Sequence, residues 1–134
     1  MSAGYSGTPL AKKLGIKAGF KVLLMNEPEY YPTLFDDLPE IITDFNNADE
    51  VDFIHLFALK LKDFEMHFDQ CKSRLVKNGT MWVSWPKKAS KIETDLDGNV
   101  VREYGLNHGL VDVKVCAVDE TWSGLKFMYR LKDR

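Results

Sequence analysis

Leu61, Phe64, Phe68, Cys71 and Leu75 follow one another at intervals of three, four, three and four residues. That period lays them along one side of an α-helix. The spacing therefore predicts a helix over 60–77, with Phe64 and Phe68 as its anchors and Lys77-Asn78-Gly79 as its stop. Lys60, Asp63, His67 and Arg74 fall on the opposite side, which makes His67 a solvated surface histidine. Elsewhere the apolar residues run together. Residues 20–25 (FKVLLM), 51–58 (VDFIHLFA) and 80–85 (TMWVSW) read as strands covered on both faces. Residues 40–45, 110–118 and 125–131 read as three more strands.

The remaining elements follow from local punctuation. Thr8 as N-cap, Pro9 at the first helical position and Gly15 as terminator predict a two-turn helix. Prolines 28, 32 and 39 limit residues 29–38 to a short helical piece. Asp97 caps a further helix over 98–108, closed by Gly109. Helices alternating with strands predict an α/β, three-layer Rossmann-like domain with a mostly parallel sheet. The six residues 119–124 cannot hold a crossover helix, so the last two strands form an antiparallel hairpin.

Composition narrows the class without naming a function. A chain of 134 residues, 45% hydrophobic and 28% charged, is one domain with a core of its own. Eighteen basic against twenty acidic residues give a net charge of −2, so a nucleic-acid partner would need a local basic patch. There is no apolar run of membrane-spanning length and no signal-peptide pattern at the start, which predicts a cytoplasmic protein away from membranes. Cys71 and Cys116 lack metal or redox spacing and read as plain buried thiols. The acids Asp36, Asp37, Glu40 and Asp44 lack metal-ligand regularity, and His55 reads as a core histidine, so no metal or nucleophile–base pair is predicted.

The most informative stretch is 82–90 (WVSWPKKAS). An apolar strand ends at a Trp-Pro step, and two lysines and a serine follow at once. In open α/β sheets ligands sit at the carboxyl ends of the strands. That edge should bring together Asn26, the region of Lys60, Trp85, Pro86, Lys87, Lys88 and Ser90, and Asp119, Glu120, Thr121 and Trp122. One reading is a pocket with aromatic walls, two cations and a hydroxyl donor, suited to a small anionic ligand. The other is that Trp85 and Trp122 only close the core, while Lys87 and Lys88 pair with Asp119 and Glu120.

Residues 51–57, the helix after them and 75–84 (LVKNGTMWVS) resemble the second half of class I S-adenosylmethionine-dependent methyltransferases. The resemblance implies a sheet like a truncated methyltransferase, with a glycine turn after the first strand for S-adenosylmethionine and an acid after the second for its ribose. Asp44 stands where that acid belongs. The first turn departs from the pattern. Asn26-Glu27-Pro28-Glu29 holds no glycine, Pro28 lacks an amide donor, and two carboxylates would repel an anionic end of the cofactor. Segments 4–15 (GYSGTPLAKKLG), 82–90 and 109–126 (GLVDVKVCAVDETWSGLK) are also similar to a family of small bacterial proteins known as a domain of unknown function. That likeness implies the same fold and no particular activity. The sequence thus favours a non-catalytic or degenerate Rossmann-like domain, binding a small molecule or a protein at the carboxyl edge with no intact cofactor motif. A divergent methyltransferase is the alternative, and a nucleic-acid module is a third class.

Overall fold

The structure, a computed structural model, describes residues 8–134; residues 4–7 of the first quoted segment and the start of the chain lie outside them. Strands β1 (Val22–Met25), β2 (Val51–Phe57), β3 (Leu75–Pro86), β4 (Leu110–Ala117) and β5 (Trp122–Tyr129) form one sheet in the order β1-β2-β3-β5-β4. The first three strands are mutually parallel, and β5 is antiparallel to both β3 and β4. This is the Rossmann-like α/β sheet with its terminal hairpin. The hairpin does not simply extend the sheet, because β5 enters between β3 and β4. Burial explains the placement. Leu125, Phe127 and Tyr129 of β5 are buried, whereas residues 113–115 of β4 are exposed, as suits an edge strand.

Two helices, α2 (Leu61–Lys72) and α3 (Gly98–Asn107), cover one face of the sheet. Phe64 and Phe68 are fully buried there, as the apolar period predicts. The other face carries the short α1 (Leu10–Leu14) and a 3₁₀ turn, Tyr31–Leu34. The Trp82 indole donates to the Leu14 carbonyl at 2.8 Å and ties α1 to β3. Gly15, in the left-handed conformation, closes α1 as expected, but the N-cap position falls on Pro9 rather than Thr8. Among the described residues no helix is long and apolar enough to cross a membrane.

Three elements differ from the sequence reading. Helix α2 stops at Lys72, and residues 75–79 open β3. Leu75 keeps its burial but delivers it from a strand paired with Val51. Arg74 helps to fix this early turn, donating to the carbonyls of Asn46 (2.9 Å) and Asp49 (3.1 Å). Gly79 is therefore no helix stop; a Cβ there would press on the Leu75 side chain and the Asp52 carbonyl. The strand expected over 40–45 shrinks to one parallel bridge between Lys21 and Ile42, since Ile42, Thr43 and Asp44 are exposed and have no face to bury. The final strand begins at Trp122 instead of 125, because its pairing with β3 reaches as far as Pro86. Cys71 is buried as expected, whereas Cys116, beside the exposed edge residues of β4, is only half-buried.

Gly105 lets α3 lie close on β5, since a Cβ there would overlap the Phe127 ring. That ring is fully buried and packs edge-on against Phe68 at 5.6 Å, so it has no room to yield. Overpacking of this kind costs about 1–3 kcal/mol, against about 1 kcal/mol gained in helix propensity. With the Phe127 ring unable to yield, Gly105→Ala should thus fall at the upper end of the difference and destabilise the domain by up to about 2 kcal/mol net in urea unfolding. An unchanged or raised midpoint would show that α3 can ride outward.

Candidate functional site

The carboxyl ends of β1 and β2 part around a cavity of about 470 Å³, lined chiefly by Asn26, Phe57, Lys60, Asp63, His67 and Trp122. Asn26 follows β1 at φ 60°, the left-handed region. Asparagine tolerates that region better than most non-glycine residues, so the chain makes the sharp turn after β1 without a glycine. The Asn26 amide nitrogen lies 3.3 Å from His67 Nδ1 on α2. The start of α2 is held from outside: Asp95 accepts the Leu61 amide at 2.6 Å, and Thr94 donates its hydroxyl to the Leu59 carbonyl at 2.5 Å. Phe57 forms the apolar floor, with the Trp122 ring perpendicular to it at 5.0 Å. Lys60 reaches Glu93 only at 3.8 Å in an exposed pair, which is worth little in water.

Behind the floor runs a buried polar chain. Tyr31 Oη lies 2.9 Å from His55 Nδ1, and His55 Nε2 lies 2.8 Å from Ser84 Oγ. Burial lowers the His55 pKa to about 3 and pushes the Tyr31 phenol well above its ordinary range. His55 is therefore neutral, one nitrogen donating and the other accepting, with both satisfied. It is a core histidine, as its apolar neighbours predicted. Its ring stacks on Phe57 at 4.2 Å, so the chain also braces the cavity floor.

The predicted carboxyl edge is divided. Asn26 and Trp122 share the first cavity, with Lys60. Trp85, Lys87 and Lys88 line a second of about 530 Å³, facing Asp95 and Asp97. Asp119 lines neither cavity and forms no lysine pair among the described residues. Its Oδ1 accepts the amides of Thr121 and Trp122, both at 2.8 Å, and its Oδ2 accepts the Tyr30 hydroxyl at 3.0 Å. Tyr30 in turn accepts the Trp122 indole N–H at 3.0 Å, which fixes the aromatic wall. The ion pairs of the described residues do not include Lys87 or Lys88 with Asp119 or Glu120.

Ser90 is likewise engaged, donating to the Lys87 carbonyl at 2.6 Å and accepting the Ile92 amide at 3.3 Å. The Lys87 amide bonds the Thr121 carbonyl at 2.8 Å. Two of the donors expected to converge on an anion after Pro86, the Lys87 amide and the Ser90 hydroxyl, thus close the loop instead. Trp85, nearly buried, packs into the core. Asp44 is exposed and lines neither cavity.

Two side chains of the first cavity were assigned to solvent by the sequence reading. Lys60, Asp63 and His67 have the same three-and-four spacing as the apolar stripe, so they share a polar face of α2. The first turns of a helix that follows a parallel strand abut the carboxyl edge. That position was the available signal for Asp63 and His67.

No family model matches the chain, and no curated protein matches it in sequence. Its fold does match solved structures, several of them methyltransferases. DhpI in complex with SAH aligns over 92% of this chain and 83% of its own, at a TM-score of 0.60 and 10% identity. Magnesium protoporphyrin IX methyltransferase (ChlM) from Synechocystis PCC 6803 with bound SAM aligns over 90% and 74%, at 0.57 and 9% identity. The 1,6-didemethyltoxoflavin-N1-methyltransferase of Burkholderia thailandensis, with its substrate and S-adenosylhomocysteine bound, aligns over 90% and 74%, at 0.56 and 10% identity. The chain has the fold of class I methyltransferases. At these identities the likeness is one of architecture.

Proposed function

We propose that the chain is a divergent S-adenosylmethionine-dependent methyltransferase domain, with its cofactor in the cavity between the ends of β1 and β2. The observation that carries this reading is the position and make-up of that cavity. It lies at the carboxyl edge of a methyltransferase-like sheet, and Asn26 makes the left-handed turn where a glycine would be expected. The cofactor carries a sulfonium cation and an amino-acid end. Trp122 and Asp63 are suited to the cation, through the ring face and the carboxylate. Lys60 is suited to the carboxylate. When bound, the cofactor would supply an electrophilic methyl group, and the part left to the chain would be chiefly to align an acceptor with it and to exclude water. Asp63 and His67 are the wall groups able to take a proton from the acceptor.

One observation favours the second reading, a binding domain without catalysis. Glu27, Pro28 and Glu29 put two carboxylates and a missing amide beside the cavity, an unfavourable setting for the cofactor's own carboxylate. Titration calorimetry with S-adenosylmethionine and S-adenosylhomocysteine separates the two. Micromolar binding is expected, weakened at least tenfold by Trp122→Ala. At a hundredfold excess over Kd the ligand should stabilise the fold by about 3 kcal/mol. That corresponds to a rise on the order of 10 °C in Tm for a domain of this size. No heat and no thermal shift at millimolar ligand would overturn the methyltransferase reading.

A further inference from the structure

Lys114 on β4 stands directly opposite Lys126 on β5. Like charges facing each other across a ladder are destabilising, and here neither lysine has a carboxylate partner among the described residues. The surroundings add more positive charge. Lys17 and Lys126 line one cavity of about 330 Å³ at the amino ends of β2 and β3, together with Asn78, Gly79 and Thr80. Burial, and then Lys114, Arg134 and Lys17, hold the Lys126 ammonium below its ordinary pKa. Lys13 and Lys114 are also among the charged groups acting on Cys116, on the same face. Residues 1–7 contain no acid. One carboxylate, Asp52, lines the cavity, and its Oδ2 already accepts the Lys21 amide at 2.9 Å. A chain of net charge −2 thus gathers unpaired cations on the α1-bearing face, at the end of the sheet away from the proposed cofactor cavity.

We propose that this face binds a ligand with adjacent phosphate groups, seated between Lys17 and Lys126 and continuing to Lys114. Phosphates fit better than a single carboxylate because one negative charge would leave two of the three lysines unpaired. The Thr80 hydroxyl and the Asn78 amide are further donors in the same wall. The shared chemistry could come from a free phosphorylated metabolite or from a nucleic-acid backbone, and the two differ in length.

The test follows backbone amide shifts of the full chain during titration with inorganic tripolyphosphate and, separately, with a short single-stranded oligonucleotide at low salt. Shifts centred on Lys17, Gly79, Lys114 and Lys126 are expected. Saturation by tripolyphosphate without tighter oligonucleotide binding identifies a free phosphorylated ligand. Tighter oligonucleotide binding, with a log–log salt slope of about −2 for three neutralised phosphates, identifies a nucleic-acid backbone. Lys114→Gln combined with Lys126→Gln should weaken binding at least tenfold while raising Tm, because it removes the facing charges; a merely structural pair would not give that opposition. Absence of shifts at these amides with both probes, or unchanged affinity in the double variant, would overturn the proposal. S-adenosylmethionine binding is read at Asn26 and Trp122, so either site can fail without the other.

Discussion

Phe68→Ala is expected to cost about 3–5 kcal/mol of folding free energy, the range for emptying a fully buried aromatic site. Phe68 is the point where three elements meet. Its ring packs edge-on with Phe64 of the same helix (5.6 Å), Tyr104 of α3 (5.2 Å) and Phe127 of β5 (5.6 Å). Removing it opens a void between two helices and a central strand, and none of those neighbours can collapse into the space without leaving the others. Chemical denaturation with matched m-values is the measurement. A loss under about 1 kcal/mol would mean that α2 does not sit on the sheet through this face.

Acidification should destabilise the domain through His55. An unfolded histidine titrates near 6.5, whereas burial lowers this one to about 3 in the fold. Below pH 6.5 the unfolded chain therefore takes up a proton that the folded chain refuses, and stability falls as pH falls until about pH 3. At about 1.4 kcal/mol per unit, the loss between pH 7 and pH 4 is on the order of 3 kcal/mol from this group alone. His55→Gln removes the titration while leaving a polar side chain between Tyr31 and Ser84. Comparing the pH dependence of unfolding in the two proteins isolates the term. Parallel curves would show that the imidazole is not kept from protons in the fold.

Much of the architecture was legible because it rests on periodicity. The stripe through Phe64 and Phe68 and the apolar runs of β1, β2 and β3 required no long-range information. Where reading stopped, pairing decided. Leu75 continues the helical period, and nothing local says that Val51 will claim it for a strand. Residues 40–45 look like a strand but find only Lys21 to pair with, at the rim of the sheet. The site was half legible for the same reason. The carboxyl edge rule placed Asn26, Lys60 and Trp122 together, but sequence cannot reveal that Asp119 turns to Tyr30 and Ser90 to Lys87, so the lysines beside them appeared either paired or poised. Asp63 and His67 were hidden by the habit of assigning a polar helical face to water. The facing lysines on β4 and β5 become visible only with the register, and that register contains an irregularity between Asp112 and Lys114.

The insertion of β5 between β3 and β4 also makes the place of β4 in the sheet depend on β5. During synthesis β4 leaves the ribosome before β5, yet it has no place in the sheet until β5 has paired with β3. Until then the edge of β3 that carries Met81, Val83 and Trp85 lacks a neighbour, and the seat of Phe68 and Gly105 is incomplete. A chain in which β5 has not yet docked exposes an apolar strand edge, the kind of surface through which partly folded chains aggregate. Expression at low temperature, or with a chaperone that shields strand edges, is therefore expected to raise the yield of folded protein.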